Sequence, residues 1–460
     1  MKWKINEKAI VLGILVFISI IVILTQVSFL PDTTLLDRDS YTHAKAANIL
    51  MENNLSITAQ VSKEELSYNT LPYQYLLALI GLLTGVEIAS LLVPWLGSIA
   101  TIILLYLLLK SQQVNRDFRI LSISLLALSP AFLYNTLVSQ PYSLIIPLYL
   151  SSLYLLTRKN NKRKLGLVLG GVSAFFDPFL FIILAIPAAF FIRGKNTLIM
   201  PKTFIFTIIF GMLMFITRIY TFKLYNANTP TGEFLVDNLN LFGSLIGFSV
   251  FSIILAFNGL ITTWKQKQAN YPFYILIILL IFSSAVFPAH KIALNLIICV
   301  LAAIGMLSFL SMKWELKTIG QITIGILLIG LLFSAGIYIN NLIKASPDVR
   351  TIKTLEFLKT NSLENEKVIS HSLNKPWIEY FADRKALSTN NQSLFRTRKE
   401  DEAMSYLKRN DINYIFVDQK TRELMITPEN NLGLEFIMQN SQNFKKMVQY
   451  DEVTLWARSE

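Results

Sequence analysis

Apolar runs of about 20 residues recur along most of this chain, and they constrain its fold more than any other feature. A helix of that length crosses the hydrocarbon core of a bilayer and satisfies its own backbone hydrogen bonds there. The chain is 53% hydrophobic with a mean hydropathy of +0.49, which excludes an ordinary soluble enzyme. The sequence therefore predicts a polytopic α-helical membrane protein.

We predict about 11 membrane spans from these runs. The fifth and sixth runs are short, and they are either tilted or form a broken pair around Asp177 and Pro178. Many apolar runs follow the first one, which therefore indicates an uncleaved span rather than a signal peptide. The predicted spans are residues 9–30, 87–109, 120–138, 141–157, 165–176, 178–192, 203–222, 241–263, 272–289, 292–311 and 319–341.

Basic residues alternate between the predicted loops, and this alternation indicates an orientation in the cell membrane. Lysine and arginine cluster in every second segment from the N-terminus onward, while the opposite short loops hold almost none. The positive-inside rule then places the N-terminus in the cytoplasm and, with an odd number of spans, the C-terminus outside. Because the net charge of +12 resides in these loops, we expect no nucleic-acid partner. The single cysteine, Cys299, excludes an intramolecular disulfide.

The composition divides the chain into a membrane domain at 1–344 and an extracytoplasmic domain at 345–460. The first outer loop, residues 31–86, is long and contains the apolar stretch Leu71–Thr84. If that stretch were counted as a span, every later loop would change sides of the membrane, and the basic loops would lie outside, against the positive-inside rule. We therefore predict a re-entrant or juxtamembrane helix in the membrane interface.

Shorter patterns in the C-terminal domain predict a small α/β fold. Helical periodicity covers Pro347–Thr360 and Lys399–Asn410, and strand patterns cover Lys367–Ser370 and Asn413–Asp418. The stretch Met447–Arg458 predicts a strand or a hairpin.

Two carboxylates follow the first span in the stretch Leu36-Asp37-Arg38-Asp39-Ser40-Tyr41-Thr42-His43. Charges at a membrane surface are costly to desolvate, so an acidic pair there indicates an ion site or a catalytic site. A carboxylate near a lipid phosphate can bind Mg²⁺ or Mn²⁺, or it can accept the proton of an attacking group. The alternative is a solvated turn, or an N-cap for a helix at 41–52, which would suit Asp39.

Several short motifs stand in an order shared with one group of membrane enzymes. The stretch Asp39-Ser40-Tyr41-Thr42-His43 is similar to the motif Asp-Pro-Tyr-Tyr-His, and it lies in a long first outer loop. Similar stretches follow at Leu71-Pro72-Tyr73-Gln74-Tyr75, Pro94-Trp95-Leu96-Gly97, Ala127–Tyr134, Val368-Ile369-Ser370 and Trp377–Arg384. Together they resemble the GT-C class of integral membrane glycosyltransferases, and within it the catalytic subunit of oligosaccharyltransferase.

The chain departs from that family at three places. Its second outer loop has Gln140 and no carboxylate where the family carries a second acidic motif. The place of the family's Trp-Trp-Asp-Tyr-Gly motif is taken by His371-Ser372-Leu373-Asn374-Lys375. The stretch Thr231-Gly232-Glu233 is only partly similar to the family's Thr-Ile-x-Glu motif. The resemblance therefore favours a sugar-transferase scaffold over a sequon-reading enzyme.

The resemblance implies transfer of a sugar or oligosaccharide from a polyprenyl-phosphate-linked donor, of dolichyl or undecaprenyl type. The acceptor would be a glycan, lipid or protein on the extracytoplasmic face. Asp39 and Asp37 would be catalytic and, with Glu233, would bind the divalent cation. Residues expected near the carrier phosphate are His290, Lys291, Arg218 and His43. Trp377 and Tyr380 are expected to contact the acceptor or the sugar.

Each candidate has a structural alternative. Glu233 could be an ordinary loop acid, and Asp177 could be a third active-site acid or a turn residue beside Pro178. Lys291 could snorkel to the interface, and His43 could be a polar interfacial residue. Trp377 and Tyr380 could pack in a core.

Two other classes of function stay open. The missing motifs are also consistent with a non-catalytic paralogue or an accessory subunit. A transporter of lipid-linked sugars would show inverted repeats and broken helices near the bilayer midplane, and the sequence shows no repeat.

Overall fold

The computed structural model describes residues 6–29, 35–55, 71–158, 161–184, 209, 212–213, 239, 246–265, 267–388, 392–397, 399–425 and 433–459. The chain forms two compact units, Met1–Phe29 with Ile49–Ile343, and Leu30–Asn48 with Lys344–Glu460. The segment with Asp37 and Asp39, which the sequence predicts inside the membrane domain 1–344, thus belongs to the second unit.

The first unit consists of helices that follow the apolar runs. They are α1 (Glu7–Phe29), α3 (Leu71–Thr84), α4 (Val86–Ser111), α5 (Arg116–Ala127), α6 (Pro130–Leu137), α7 (Tyr142–Leu156), α8 (Asn161–Phe176), α9 (Val250–Trp264), α10 (Lys267–Val286), α11 (Lys291–Ser311) and α12 (Lys317–Lys344). Helix α2 (Asp37–Glu52) lies mostly in the second unit.

Four described helical stretches are long and apolar enough to cross a membrane. They are Glu7–Gln26 in α1, then α4, α11, and the stretch Thr318–Asn361 that begins in α12. The chain is therefore a membrane protein with several apolar helices. The number of about 11 spans stays a prediction, because residues 203–208 and 214–222 and most of 178–192 lie outside the described residues.

The predicted span 120–138 is not one straight helix. Helices α5 and α6 meet at an angle of 62°, so together they form a broken span or a re-entrant loop. Pro130 opens α6, and Ser129 before it is extended with ψ 136°. Because proline disfavours helical geometry in the preceding residue, the chain bends there.

A second break separates α8 from the helical residues 178–184. Asp177 is not helical, and its Oδ1 accepts a hydrogen bond of 2.9 Å from the Leu180 amide. The carboxylate thus caps the helix that Pro178 opens. This agrees with the broken pair predicted around Asp177 and Pro178.

Two glycines permit a close contact between helices α9 and α11. A Cβ atom on Gly305 of α11 would lie 1.9 Å from the Leu255 carbonyl oxygen of α9. A Cβ atom on Gly259 would lie 2.0 Å from the Leu301 oxygen. Small residues allow backbones to approach in this way in membrane helix pairs.

The second unit contains a five-stranded sheet with strand order β2-β1-β3-β5-β4. Strand β1 pairs in parallel with β2 and β3, while β5 pairs antiparallel with β3 and β4. The strands are β1 (Lys367–Ser370), β2 (Lys385–Ser388), β3 (Ile412–Val417), β4 (Phe444–Tyr450) and β5 (Val453–Arg458). The helices are α13 (Val349–Asn361), α14 (Gln392–Arg396), α15 (Glu400–Arg409), α16 (Gln419–Met425) and α17 (Gly433–Asn440).

The core of this unit is apolar and includes Ile369, Phe395, Leu407, Ile415 and Trp456. The predicted strand Lys367–Ser370 has the predicted bounds, and the predicted hairpin forms as β4 and β5. Strand β2 was not predicted, because its sequence Lys-Ala-Leu-Ser lacks the β-branched residues that β1 has in Val368 and Ile369.

Candidate functional site

The acidic pair opens helix α2, and its two carboxylates occupy different environments. Asp37 is 2% exposed, whereas Asp39 lies exposed in the first helical turn. The two carboxylates therefore differ in their access to an ion or a substrate. Because the helix begins at Asp37, the alternative of Asp39 as N-cap of a helix at 41–52 is wrong.

Asp37 is held in a strained backbone conformation within the second unit. Its φ of 58° lies in the left-handed region, which aspartate tolerates better than most residues. Its amide donates to Ser346 Oγ at 3.4 Å, and Arg38 Nε lies 3.9 Å from Oδ1. This arrangement orients the first turn of α2, and with it Asp39.

An aromatic cluster anchors α2 in the same unit. The ring of Tyr41 lies 5.1 Å from the rings of both Tyr380 and Phe381, and its hydroxyl donates to the Leu35 carbonyl at 2.9 Å. Lys45 of α2 also donates to Asp383. Tyr380 therefore packs against Tyr41, which fits the core-packing alternative for this residue.

His43 lies in the buried part of α2 and is 7% exposed. Burial lowers the pKa of His43 to about 4, because it disfavours the charged imidazolium. The side chain is therefore neutral at physiological pH. A neutral imidazole can still form hydrogen bonds, so a contact between His43 and the carrier phosphate stays a prediction.

Trp377 is buried at 2% exposure, and the Lys420 ammonium lies 5.0 Å from its ring centre. Its indole Nε1 has no hydrogen-bond partner among the described residues. A ring in this environment offers no open face for a sugar. The geometry of Trp377 fits core packing, the alternative that the sequence left open.

The second outer loop is buried and polar but holds no carboxylate in its described residues 138–141. Gln140 Nε2 donates to Asn135 Oδ1 at 3.2 Å. Ser139 Oγ lies 2.8 Å from the hydroxyl of Tyr73 on α3. The predicted first and second outer loops therefore contact each other.

Three further residues meet at the breaks between membrane helices. His290 Nε2 lies 2.8 Å from Asp177 Oδ2, and the Tyr142 hydroxyl donates to the same oxygen at 2.7 Å. His290 is 1% exposed and Asp177 is 5% exposed. Asp177, after α8, and His290, before α11, lie in two predicted outer loops, whereas Tyr142 is the first residue of α7 and lies at the start of the predicted span 141–157. The structure therefore brings these two loops and the start of α7 together.

His290 and Lys291 stand at the N-terminal end of α11, where His290 is the N-cap residue. Lys291 is buried at 5% exposure. The first backbone amides of a helix lack intrahelical acceptors and carry a partial positive charge, so this end attracts anions. The predicted cations His290 and Lys291 thus lie together, while Arg218 and Glu233 lie outside the described residues.

The predicted divalent cation has limited support from the side chains. The described residues contain no group of three or more His, Cys, Asp or Glu side chains that could hold a metal. Mg²⁺ commonly takes one or two carboxylates, several waters and substrate phosphate oxygens. Exposed Asp39 fits such an ion as a single protein ligand, whereas buried Asp37 does not share its position.

Solved structures share this fold over nearly the whole chain. The oligosaccharyltransferase AglB from Archaeoglobus fulgidus, in complex with an inhibitory peptide and a dolichol-phosphate, matches with a TM-score of 0.60 and 11% identity, over 98% of this chain and 74% of that chain. ArnT from Cupriavidus metallidurans in the apo state matches with a TM-score of 0.54 and 8% identity, over 97% of both chains. Bound to undecaprenyl phosphate, ArnT gives a TM-score of 0.51 at 8% identity, over 97% and 98% of the two chains.

The fold is GT-C-like. No protein-family model and no curated protein sequence matches the chain. The predicted fold is therefore confirmed at the level of architecture, and the identities of 8% and 11% carry no residue-level correspondence.

Within this GT-C-like fold, sequence reasoning missed Tyr142 and left Asp177 open as a third active-site acid or a turn residue. A tyrosine at the start of an apolar run gives no functional signal of its own. The aspartate between two short apolar runs did give one, because a charge at such depth needs a partner. Its partner, His290, is 113 residues away in sequence.

Proposed function

We propose that this protein is a membrane glycosyltransferase that uses a polyprenyl-phosphate-linked donor. The observation that carries the proposal is the fold, which is similar over at least 97% of this chain to AglB and ArnT. Those structures contain a dolichol-phosphate and an undecaprenyl phosphate, respectively. The donor proposed here is a sugar or oligosaccharide on a carrier of this chemical class.

The proposed reaction occurs on the extracytoplasmic face. An acceptor nucleophile on a glycan, lipid or protein attacks the anomeric carbon of the donor sugar. The bond from that carbon to the phosphate oxygen breaks, and the carrier phosphate leaves with the electron pair. The acceptor proton passes to a base, and the exposed carboxylate of Asp39 is the proposed base.

In the alternative role for Asp39, its carboxylate would instead hold a divalent cation that neutralises charge on the leaving phosphate. The other proposed roles in this reaction belong to side chains of the chain itself. Asp37 fixes the first turn of α2 and so orients Asp39. In the first unit, His290 and Lys291 are the proposed partners of the carrier phosphate at the start of α11. Arg218 and Glu233 stay proposed partners of the phosphate and of the cation, as the sequence suggested.

Replacement of Asp39 by asparagine tests the proposal, because asparagine keeps the shape and removes the base. Full-length protein in membranes would be supplied with polyprenyl-phosphate-linked sugars extracted from the source cells. We expect labelled sugar to reach an acceptor with wild-type protein and with the control Asp451→Asn, an exposed acid of the β4–β5 turn. Transfer at the wild-type rate by Asp39→Asn would refute the assignment of Asp39.

A non-catalytic, carrier-binding role is the second candidate. It is favoured by Gln140, which stands in place of the second acid. This role predicts that the wild-type protein binds polyprenyl phosphate but transfers no sugar with any donor extract. Binding together with transfer that requires Asp39 would exclude it.

A further inference from the structure

The Asp177 carboxylate does more than cap a helix. Capping requires Oδ1 alone, which accepts from the Leu180 amide at 2.9 Å. Oδ2 has two further partners from other segments, Tyr142 at 2.7 Å and His290 at 2.8 Å. A buried carboxylate needs such donors to offset its desolvation. The capping role therefore leaves the His290 contact unexplained.

The His290 ring is fixed in place by its neighbours. Phe179 stacks on it with a ring-centre distance of 5.8 Å and an interplanar angle of 13°. Phe287 lies 5.0 Å away, and Tyr142 meets the ring edge at 6.1 Å. Nε2 of His290 donates its hydrogen bond to Asp177. Nδ1 is therefore the ring nitrogen that can bind a ligand.

His290 Nδ1 is buried and has no hydrogen-bond partner in the described ranges of the chain. A buried polar atom without a partner costs about 1–3 kcal/mol, so its presence requires an explanation. His290 is 1% exposed and directly precedes α11, beside buried Lys291, and its side chain makes no capping hydrogen bond with that helix. The helix end and the lysine both disfavour a metal cation and favour an anion.

We propose that Asp177 is a positioning residue that holds the His290 imidazole so that Nδ1 binds a phosphate group at the N-terminal end of α11. The inference rests on the proposed function, which supplies the carrier phosphate as the ligand. A doubly protonated imidazole donates from both nitrogens, one to the carboxylate and one to a phosphate oxygen. Asp177 balances the added charge, and Tyr142 keeps its Oδ2 in place.

Binding of defined probes to the purified full-length protein tests this inference. The probes are undecaprenyl phosphate, dolichyl phosphate, the uncharged alcohol undecaprenol and inorganic phosphate. The variants are Asp177→Asn, His290→Gln and the double variant, with Glu7→Gln as a control that breaks the Glu7–Arg119 ion pair of the same unit. Thermal unfolding of each variant separates loss of binding from loss of fold.

We expect His290→Gln and Asp177→Asn each to weaken polyprenyl-phosphate binding roughly tenfold, as for loss of a hydrogen bond to a charged group. The double variant should bind as weakly as His290→Gln alone, because Asp177 acts through His290. Glu7→Gln should bind like wild type. Undecaprenol should bind weakly to every variant, and inorganic phosphate should bind more weakly than either lipid.

Three outcomes would overturn the inference. If Asp177→Asn folds and binds polyprenyl phosphate like wild type, Asp177 has no positioning role. The same conclusion follows if the loss of affinity in the double variant is the product of the losses in the two single variants. Inorganic phosphate that binds as tightly as the lipids removes the carrier as the ligand. If wild-type protein binds neither undecaprenyl phosphate nor dolichyl phosphate, the proposed function itself fails. If wild-type protein binds them and Asp177→Asn binds them equally well, only the inference about Asp177 fails.

Discussion

Asp37 is buried and Asp39, two residues later on the same helix, is exposed. The two carboxylates that look equivalent in the sequence therefore have different tasks. Asp37 has a left-handed backbone conformation, with φ 58°, at the start of α2, whereas Asp39 is exposed in the same helical turn. Substitution of the two residues should consequently affect different properties.

The first prediction concerns activity at Asp39. Asp39→Asn should lower sugar transfer by about 100-fold or more, the range expected when a general base is removed. Asp39→Glu should retain part of the activity, since it keeps a carboxylate. Both variants should unfold at the wild-type temperature in detergent, because the side chain is exposed. A matched loss of thermal stability would instead indicate a structural role.

The second prediction concerns the backbone at Asp37. Asp37→Val should destabilise the second unit by at least about 1–2 kcal/mol, because a β-branched residue is strained at positive φ. Asp37→Asn and Asp37→Gly should cost less, since both residues accept this conformation. Tryptophan fluorescence during unfolding can measure this, as Trp377 and Trp456 lie in the same unit.

The same substitutions at position 39 are the control for the second prediction. Asp39 lies in the first turn of α2 and does not have a positive φ. Glycine there should be the more harmful change, at a cost of up to about 1 kcal/mol, and valine the milder one. The same order of stability at both positions would contradict a special backbone at Asp37.

Local patterns predicted most of the helices and part of the sheet. The run 87–109 became Val86–Ser111, and the strand Lys367–Ser370 kept its bounds, because apolar length and composition are local properties. The bend between α5 and α6 also has a local cause in Pro130, although the apolar run around it suggested a continuous span.

The candidate site was predicted less completely, because long-range contacts decide it. The packing of Tyr41 against Tyr380 and Phe381 assigns α2 to the second unit, and no periodicity in either segment indicates it. The pairing of Asp177 with His290 likewise depends on how distant helices pack. The sequence supplied the residue types, and the fold supplied their partners.

The third prediction concerns the packing of α9 against α11. Gly305→Ala should destabilise the protein by about 1–3 kcal/mol, because the added Cβ would lie 1.9 Å from the Leu255 oxygen. Gly336→Ala in α12 is the control, since nothing described lies within 4 Å of its added Cβ. Thermal unfolding in detergent distinguishes them, and equal unfolding temperatures would contradict the close approach of these helices.

The fourth prediction concerns the pH dependence of the Lys45–Asp383 pair. Burial acts to raise the pKa of Asp383, but the hydrogen bond and charge of Lys45 outweigh it and hold this pKa below its usual value. An aspartate whose pKa is lowered by folding stabilises the fold at pH values above its unfolded-state pKa. This contribution is lost as the pH falls through its folded-state pKa.

Lys45→Met should therefore reduce stability at pH 7 by up to about 1 kcal/mol, as expected for a partly exposed pair. The difference from wild type should begin to shrink near the unfolded-state pKa of about 4 and disappear once the pH is below the lower folded-state pKa. Unfolding temperatures measured across this pH range provide the test, with Lys408→Met at an exposed position of α15 as control. A difference that persists in acid would indicate lost packing of the lysine stem instead.

The fifth prediction concerns orientation in the membrane. Cys299 is buried, so a membrane-impermeant maleimide should not label it, and Cys299→Ser provides a clean background. On that background Glu452→Cys, at the exposed β4–β5 turn, should be labelled in intact cells, because the charge rule places the C-terminal domain outside. Gln112→Cys, exposed after α4, should be labelled only after the cells are opened. The opposite pattern would invert the predicted topology and move Asp39 away from the face where the acceptor is expected.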